Sequence, residues 1–287
     1  MIYKITKHED GRMKHVASNS LNEKLYIASS CWDGKHYANH SEWQFGMAAK
    51  ALHFMQIPTN AKILDIGCGD GRFTKHLAKL VPNGELLGLD PSSSMLDAAQ
   101  ANIMPNLSFV SGNAVSLPFK NKFDRIVAFN SLHWVSEMKL ALEQVCNALV
   151  PGGQVLILVA PIQVRHPLHQ IINEVAKKEK WNLYFDNALN FFPFHTFAEW
   201  ATLIEESGLI PENLQLIDAS LDYKDKKSFA DSLVGWVPFG TIPECKKKEY
   251  VADIVESYIA AIPCGPKGVV HYLLDELVIV ASKSIEP

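Results

Sequence analysis

The segment from residue 63 to residue 74, ILDIGCGDGRFT, constrains the fold of this chain more than any other part of its sequence. The run 61–66 has the length and apolar character of a buried parallel strand, and helical spacing of apolar residues resumes over 72–81. The turn between them has glycine at alternating positions, Gly67, Gly69 and Gly71. Because glycine lacks a Cβ, this backbone is free to adopt unusual dihedrals and to lie against a ligand. The segment predicts a strand, a ligand-binding turn and a helix.

A second apolar strand, 85–90, ends in the carboxylate of Asp90 about 20 residues beyond the glycines, where an acid that binds ribose hydroxyls is expected. Dinucleotide sites have the spacing G-x-G-x-x-G and hold a pyrophosphate at the helix N-terminus. Here Arg72 stands where the third glycine would fall. Asp65 and Asp70 would also repel a pyrophosphate, by about 1 kcal/mol or more at close range. The turn therefore favours a cationic nucleoside cofactor.

Strands and helices continue to alternate at a regular spacing beyond this point. Apolar runs predict further strands at 107–110, 123–129 and 154–160, and helical spacing predicts helices over 91–101, capped by Ser92–Ser94, and over 139–149. Further along, a helix is expected over 197–207 and strands over 215–223 and 277–282. The alternation predicts a doubly wound parallel sheet, with ligands bound outside the carboxyl ends of the strands.

The run from Asp65 to Gly71 is the D-x-G-x-G-x-G signature, and the chain resembles the class I S-adenosylmethionine-dependent methyltransferases over roughly residues 60–161. The resemblance implies an α/β, Rossmann-like fold: a seven-stranded, mostly parallel sheet with helices on both faces, an antiparallel terminal strand and a helical, aromatic lid insertion. It implies S-adenosyl-L-methionine as cofactor and S-adenosylhomocysteine as product.

The resemblance also implies a set of cofactor-binding residues. In it the glycine turn lies against the methionine and ribose, Asp65 supports the turn, and Asp90 binds the ribose hydroxyls. Met95 covers the adenine, although a plain core position explains it equally well. Asn113 faces the adenine amino group, where the family commonly has Asp, and Asn130 holds the methionine ammonium through its carbonyl. The full set is Asp65, Gly67, Cys68, Gly69, Gly71, Asp90, Pro91, Met95, Asn113, Ala114 and Asn130.

The segment 129–134, FNSLHW, resembles a small-molecule subgroup that includes trans-aconitate, juvenile hormone acid and malonyl-carrier-protein methyltransferases, whose shared substrates are carboxylic acids. Together with 37–44 and 232–238, it implies five substrate-binding residues. They are Tyr37, Gln44, His133, Trp134 and Trp236. A carboxylate is already ionised at neutral pH and needs no base. O-methylation of a small carboxylic acid is therefore the expected reaction.

Alternative functions remain open on the sequence alone. Methylation of nitrogen, carbon or a thiol would need a base, and His133 is then the candidate catalytic residue. A histidine that caps the strand end and a core tryptophan explain His133 and Trp134 without any substrate. A non-catalytic module that binds the cofactor or a partner is the third reading, and the nearly complete motif set counts against it.

Composition limits the partners and the compartment. The net charge is −4 without a long basic block, which disfavours a nucleic-acid partner. No stretch reaches the ~20 apolar residues of a membrane span, and the N-terminus lacks the apolar region of an export signal. The five cysteines are scattered and form no C-x-x-C pair, which predicts a cytoplasmic protein without a metal site. No pattern indicates an oligomeric state.

The expected domain organisation follows from the alternation and the resemblance. Residues 1–36 form an N-terminal extension of unassigned role, and residues 37–287 form the methyltransferase domain. Within it, 60–161 is the cofactor half, about 162–211 is an aromatic-rich lid insertion, and 212–287 contains the terminal strands and the substrate-side helices. An insertion at the carboxyl edge of the sheet is in the place for a lid, and packing onto the core is an equal alternative.

Overall fold

The fold alternates strands with helices, as the sequence predicts. The computed structural model describes residues 42–162, 167–185, 195–234 and 236–285. The strands described are β1 (Lys62–Ile66), β2 (Glu85–Asp90), β3 (Leu107–Ser111), β4 (Phe123–Phe129), β5 (Leu149–Val159), β6 (Leu209–Asp218), β7 (Leu221–Tyr223), β8 (Val270–Tyr272) and β9 (Asp275–Lys283). The helices described are α1 (Glu42–Ala51), α2 (Arg72–Leu80), α3 (Ser93–Ala99), α4 (Met138–Ala148), α5 (Pro167–Lys177), α6 (Phe197–Glu206), α7 (Lys226–Leu233) and α8 (Glu244–Ala261). Short 3-10 turns lie between several of them.

Seven strands form the central sheet, in the order β3-β2-β1-β4-β5-β9-β6. Strands β1 to β5 are mutually parallel, and β9 runs antiparallel to both β5 and β6. Strands β7 and β8 pair separately as a small antiparallel ribbon. This confirms the expected Rossmann-like sheet with its antiparallel terminal strand. The strand order reverses between β1 and β4, so the glycine turn after β1 and the chain after β4 open into the same crevice.

Apolar side chains on both faces of the sheet form the core. Along β5, Leu156 and Leu158 belong to a cluster that includes residues of α1, α2, α5 and α8, whereas Val155 and Ile157 belong to a second cluster with α4 and α6. Fully burying a side chain of this size contributes about 1.5–3 kcal/mol. Helix α3 begins with the predicted cap, since Ser92 Oγ accepts the Met95 N–H at 3.3 Å.

Two predicted elements have different bounds in the structure. Strand β5 begins at Leu149, directly after α4 and before the predicted start at residue 154, so Gly152 and Gly153 lie inside the strand. The run 215–223, expected to be one strand, is divided between β6 and β7. At the break, Asp218 Oδ1 accepts the Ser220 N–H at 2.9 Å and Ser220 Oγ accepts the Leu274 N–H at 3.0 Å, so side chains replace part of the backbone ladder. The pairing of β6 with β9 continues in the same register into that of β7 with β8.

The described residues of the predicted lid, 162–211, pack against different parts of the protein. The rings of Trp181 and Tyr250 pack edge to face at 5.1 Å, and Trp181 Nε1 donates to Asp253 at 2.8 Å. Trp200 of α6 is buried in the core beside the sheet. Phe191, Phe192 and Phe194 lie outside the described residues, as do residues 1–36. The lid and the domain divisions stay predictions.

No helix in the described ranges combines the length and the apolar character needed to cross a membrane.

Replacing Trp181 with alanine should lower the free energy of unfolding by about 3–5 kcal/mol, because the buried indole leaves a cavity. Urea denaturation followed by circular dichroism measures the change. Leu183→Ala is the control, since Leu183 is 68% exposed only two residues away and should change stability by less than about 0.5 kcal/mol. Equal effects of the two variants would show that Trp181 does not support the core.

Candidate functional site

The turn after β1 has the left-handed backbone that its glycines were expected to provide. Gly67, Gly69 and Gly71 have φ values of 76°, 55° and 75°. A Cβ added at Gly67 would lie 2.2 Å from Ser131 Cβ, and one at Gly71 would lie 2.6 Å from the Phe109 ring. These two glycines therefore clear space for neighbouring protein side chains, in addition to any ligand. The sequence predicts unusual dihedrals and close approach of a ligand at these glycines, and it does not indicate their crowding by Ser131 and Phe109.

Asp65, at the end of β1, is held from the first turn of α2. Its Oδ2 accepts the Thr74 hydroxyl at 2.8 Å, and both side chains are buried. Burial raises the pKa of Asp65 to about 7; the Thr74 hydrogen bond opposes the rise, and the charge of Asp90 adds to it. A cation in the crevice would favour the ionised form of this carboxyl group.

Asp90 joins the glycine turn to the start of α3. Its Oδ2 accepts the Gly69 N–H at 3.0 Å, and its Oδ1 accepts the Ser92 N–H at 2.9 Å. Burial raises the pKa of Asp90, and the two backbone hydrogen bonds oppose this. Each carboxylate oxygen has a second lone pair, so the group can still accept from two ligand hydroxyls. The structure fixes the orientation of the Asp90 carboxyl group, and its contact with a ribose stays a prediction.

A cleft beside the turn brings together α1, the end of β1, the start of α2 and the end of β4. Three phenylalanines form its apolar side: the rings of Phe45 and Phe129 each pack edge to face against Phe73, with centroids 5.0 Å apart. The residues lining the cleft are Gln44, Phe45, Ala48, Asp65, Gly67, Cys68, Gly69, Asp70, Arg72, Phe73, Phe129 and Asn130.

Sequence reasoning missed several of these lining residues. In the sequence, Arg72 is evidence only against a dinucleotide site. In the structure, its Nε donates to Asp70 Oδ2 at 2.7 Å and its side chain lines the cleft. Its position directly after the last glycine, at the first residue of α2, was the available signal. Phe73 follows Arg72, and Phe129 directly precedes Asn130, so both were identifiable as neighbours of predicted residues. Phe45 adjoins Gln44 in the same way.

Gln44 and Asn130 contribute polar atoms that lack partners. Helix α1 is anchored by a hydrogen bond from Trp43 Nε1 to the Ala219 carbonyl at 3.2 Å, and Gln44 on this helix lines the cleft. Gln44 Oε1 and Asn130 Nδ2 are both buried without a hydrogen-bond partner among the described residues. Leaving such atoms unsatisfied costs about 1–3 kcal/mol each. Their place in one cleft indicates a polar ligand.

His133 and Trp134 lie in a 3-10 turn after β4. His133 is 5% exposed, and its Nδ1 accepts the Ala160 N–H at 3.4 Å. Burial lowers the pKa of His133 to about 3, so the ring is neutral at pH 7. A base of such low pKa, with one nitrogen already engaged, is poorly suited to remove a proton at neutral pH. Trp134 is partly buried against the core, and its ring centroid is 5.2 Å from that of His133.

The remaining predicted residues that the structure describes do not line this cleft. Met95 is buried in α3 but belongs to neither core cluster, which leaves its adenine contact open. Asn113 is exposed, and its Oδ1 accepts the Ser116 hydroxyl at 2.8 Å. Trp236 packs edge to face on His169 of α5, with centroids 5.8 Å apart. The others are Pro91, which is exposed, Ala114, which is buried, and Tyr37, which lies outside the described residues.

Among the described residues, no group of three or more His, Cys, Asp or Glu side chains is placed to hold a metal ion.

Comparisons with known proteins agree with this geometry. Residues 63–153 match the family model described as "Methyltransferase domain". The demethylmenaquinone methyltransferase of Lactococcus lactis is 33% identical over 62% of this chain and 70% of its own length. A trans-aconitate 2-methyltransferase of Variovorax paradoxus is 26% identical over 88% of this chain and 98% of its own. The YcgJ protein of Bacillus subtilis superposes with a TM-score of 0.58 at 20% identity, over 84% of this chain and 98% of that structure.

Gly71→Ala should destabilise the protein by about 2–5 kcal/mol, because its positive φ is strained for alanine and the new methyl would overlap the Phe109 ring. The matched control is Gly46→Ala in α1, where no atom lies within 4 Å of the new methyl. That change should be neutral or stabilise by up to about 1 kcal/mol, since alanine favours a helix. Thermal unfolding compares the two, and equal melting temperatures would contradict the steric role of Gly71.

Proposed function

The chain belongs to the class I S-adenosylmethionine-dependent methyltransferases, and we propose that it transfers the methyl group of this cofactor to the carboxylate of a small acid. Membership favours an enzyme over a non-catalytic binding module. The observation that carries the proposal is the cleft itself, in which the glycine turn, Asn130 and Gln44 meet. Several residues predicted to bind the methyl donor therefore line the same cleft as Gln44, one of the residues predicted to bind the acceptor.

The charges of the site fit this cofactor. When bound, the cofactor supplies a methyl group activated by a sulfonium. Asp65 and Asp70 line the cleft, and the carboxylates suit a ligand that carries a sulfonium and an ammonium. Asp90 would accept from the ribose hydroxyls, and Asn130 would hold the ammonium. The Gly67–Gly71 backbone allows close approach along the rest of the cofactor.

An acid acceptor suits the groups present around the cleft. A carboxylate is ionised at neutral pH, so alignment with the methyl group and exclusion of water are the main requirements. His133, the candidate base, has its pKa lowered to about 3 and is buried, which disfavours reactions that need a base. Gln44 would donate its side-chain amide to the acceptor, and Phe45, Phe73 and Phe129 would exclude water.

A relative supports the acid acceptor, and another relative supports an alternative. The trans-aconitate 2-methyltransferase of Variovorax paradoxus aligns with almost the full length of both chains, and its named acceptor is an acid. The demethylmenaquinone methyltransferase of Lactococcus lactis has higher identity over a shorter span, and its named acceptor is a quinone. Methylation of a quinone-like acceptor is therefore the second candidate, to be tested beside the acids.

The experiment uses the full chain with cofactor labelled in its transferable methyl group, and a panel of di- and tricarboxylic acids, medium-chain fatty acids, amines, thiols and quinones. We expect label in base-labile methyl esters of one class of acid, with S-adenosylhomocysteine formed in equal amount. Label found only in products stable to mild base would contradict the acid acceptor. Base-stable label in methylated quinones would support methylation of a quinone-like acceptor, the second candidate function.

Asp90→Ala should weaken the binding of S-adenosylmethionine by roughly 1–3 kcal/mol, because two hydrogen bonds to the ribose are lost. Isothermal titration measures the affinity, and thermal unfolding checks that the turn survives. Asp97→Ala is the control, since Asp97 is an exposed acid on α3 and should bind the cofactor normally. Unchanged affinity in a folded Asp90 variant would place the ribose elsewhere.

Gln44→Ala should raise the KM for the acid about tenfold or more, because a hydrogen bond to a charged group is lost, while the KM for the cofactor changes less than about threefold. Steady-state kinetics with each substrate varied in turn separates the two constants. Gln56→Ala, an exposed glutamine beyond α1, is the matched control and should leave both unchanged. An effect confined to the cofactor KM would move Gln44 from the acceptor to the donor side.

A further inference from the structure

Glu276 is a buried acid that the proposed reaction does not use. It is the second residue of β9 and is 1% exposed. Neither of its carboxyl oxygens has a hydrogen-bond partner among the described residues. Burying an unpaired carboxyl group opposes folding, and an apolar side chain at this position would not carry that cost. A functional role would explain why an acid occupies this buried position.

The sheet register places Glu276 near the cleft. Leu277 pairs with Val159, the last residue of β5, so Glu276 is level with Ala160 just beyond that strand. Alternate residues of β9 face opposite sides of the sheet, and Glu276 shares the side of Val278, which packs in the same cluster as residues of α1. Asn130 follows β4, on the other side of β5. Because Ala160 is small, the Glu276 side chain can extend across the end of β5 toward Asn130.

Asn130 has the complementary group. Its Nδ2 is the buried donor that lacks a partner, and its backbone is held in a left-handed conformation, with φ of 50°, by a hydrogen bond from its N–H to the Leu158 carbonyl at 2.8 Å. The Asn130 side-chain amide lies near Glu276 and opposes the rise in the pKa of that acid. The two groups do not meet the usual geometric criteria for a hydrogen bond. A side-chain amide that donates on one side presents its carbonyl oxygen on the other.

From this arrangement we propose that Glu276 is a positioning residue of the cofactor site, whose carboxyl group accepts the Asn130 side-chain N–H and directs the Asn130 carbonyl oxygen to the cofactor ammonium. The inference rests on the proposed function, since it needs a cationic ligand at Asn130. It assigns no contact between Glu276 and the reacting atoms.

Titration of Glu276 gives the positioning role a measurable signature. Burial raises its pKa to about 8, so the group is mostly protonated at pH 7. A cation bound at Asn130 favours the ionised form, and cofactor binding should release part of a proton. Tyr272 of β8 faces Glu276 and stays neutral, because burial and the neighbouring Tyr223, Tyr258 and Glu276 raise its pKa. Asp275 adjoins Glu276 along β9.

Asp65 and Asp90 line the same carboxyl edge and also have raised pKa values, so they contribute to the proton release of the wild-type protein. The contribution of Glu276 is therefore the difference between the wild-type protein and a variant that cannot ionise at this position. All other acids are present in both proteins, so their contributions cancel in this difference.

The test is isothermal titration of the full chain with S-adenosylmethionine at pH 7, in two buffers of different ionisation enthalpy, on the wild-type protein, Glu276→Gln and Glu276→Met. Glutamine keeps an acceptor for Asn130, so Glu276→Gln should bind within about threefold of wild type but release fewer protons. Methionine removes the acceptor, so Glu276→Met should bind about tenfold more weakly while its melting temperature is unchanged or higher. Added to Asn130→Ala, Glu276→Met should cause no further loss.

Glu212→Met, an exposed acid on β6, is the control and should not alter binding. Wild-type affinity in Glu276→Met, or proton release unchanged in Glu276→Gln, would overturn the inference. A lower melting temperature in Glu276→Met with no rescue by glutamine would also overturn it, because Glu276 would then support the fold only. Failure of the wild-type protein to bind the cofactor would contradict the proposed function instead.

Discussion

The carboxylate of Asp90 is the group on which the rest of the site depends. By accepting the N–H groups of Gly69 and Ser92, it connects the turn after β1 to the start of α3. A parallel sheet places the carboxyl ends of neighbouring strands at one edge, so a single side chain can join two of them. The two backbone donors offset part of the cost of burying the carboxyl group. The orientation of the glycine turn and that of the Asp90 carboxyl group are therefore set together.

Acidic groups gather around one crevice although the protein as a whole has a net charge of only −4. Burial raises the pKa values of Asp65, Asp90 and Glu276 because it disfavours their ionised forms. A ligand with positive charge favours ionisation of these groups, whereas a pyrophosphate would oppose it. Carboxyl groups with raised pKa values around one crevice are typical of functional sites.

The sequence predicted the strands β1 to β4 and their order along the chain well, because their apolar runs are buried on both faces and end at clear turn residues. It predicted one strand over 215–223, whereas the backbone ladder is interrupted at residues 219–220. There Ser220 Oγ bonds to the backbone of Leu274, which is far away in the chain, and the sequence around Ser220 does not indicate that contact. The glycine motif was recognised, but the crowding of Gly67 by Ser131 was not, because the two meet only when β1 and β4 pair.

The sequence by itself determined the fold class, the cofactor family and the acids at the strand ends, since strand periodicity and the D-x-G-x-G-x-G spacing are local properties of the chain. Only the tertiary structure decided which side chains share the cleft. It brought Gln44, Phe45 and Arg72 to the glycine turn, buried His133 as a neutral ring, and placed Glu276 across the end of β5 from Asn130. Each of these depends on how helices and strands distant in sequence pack, because burial and charge proximity are properties of the folded chain.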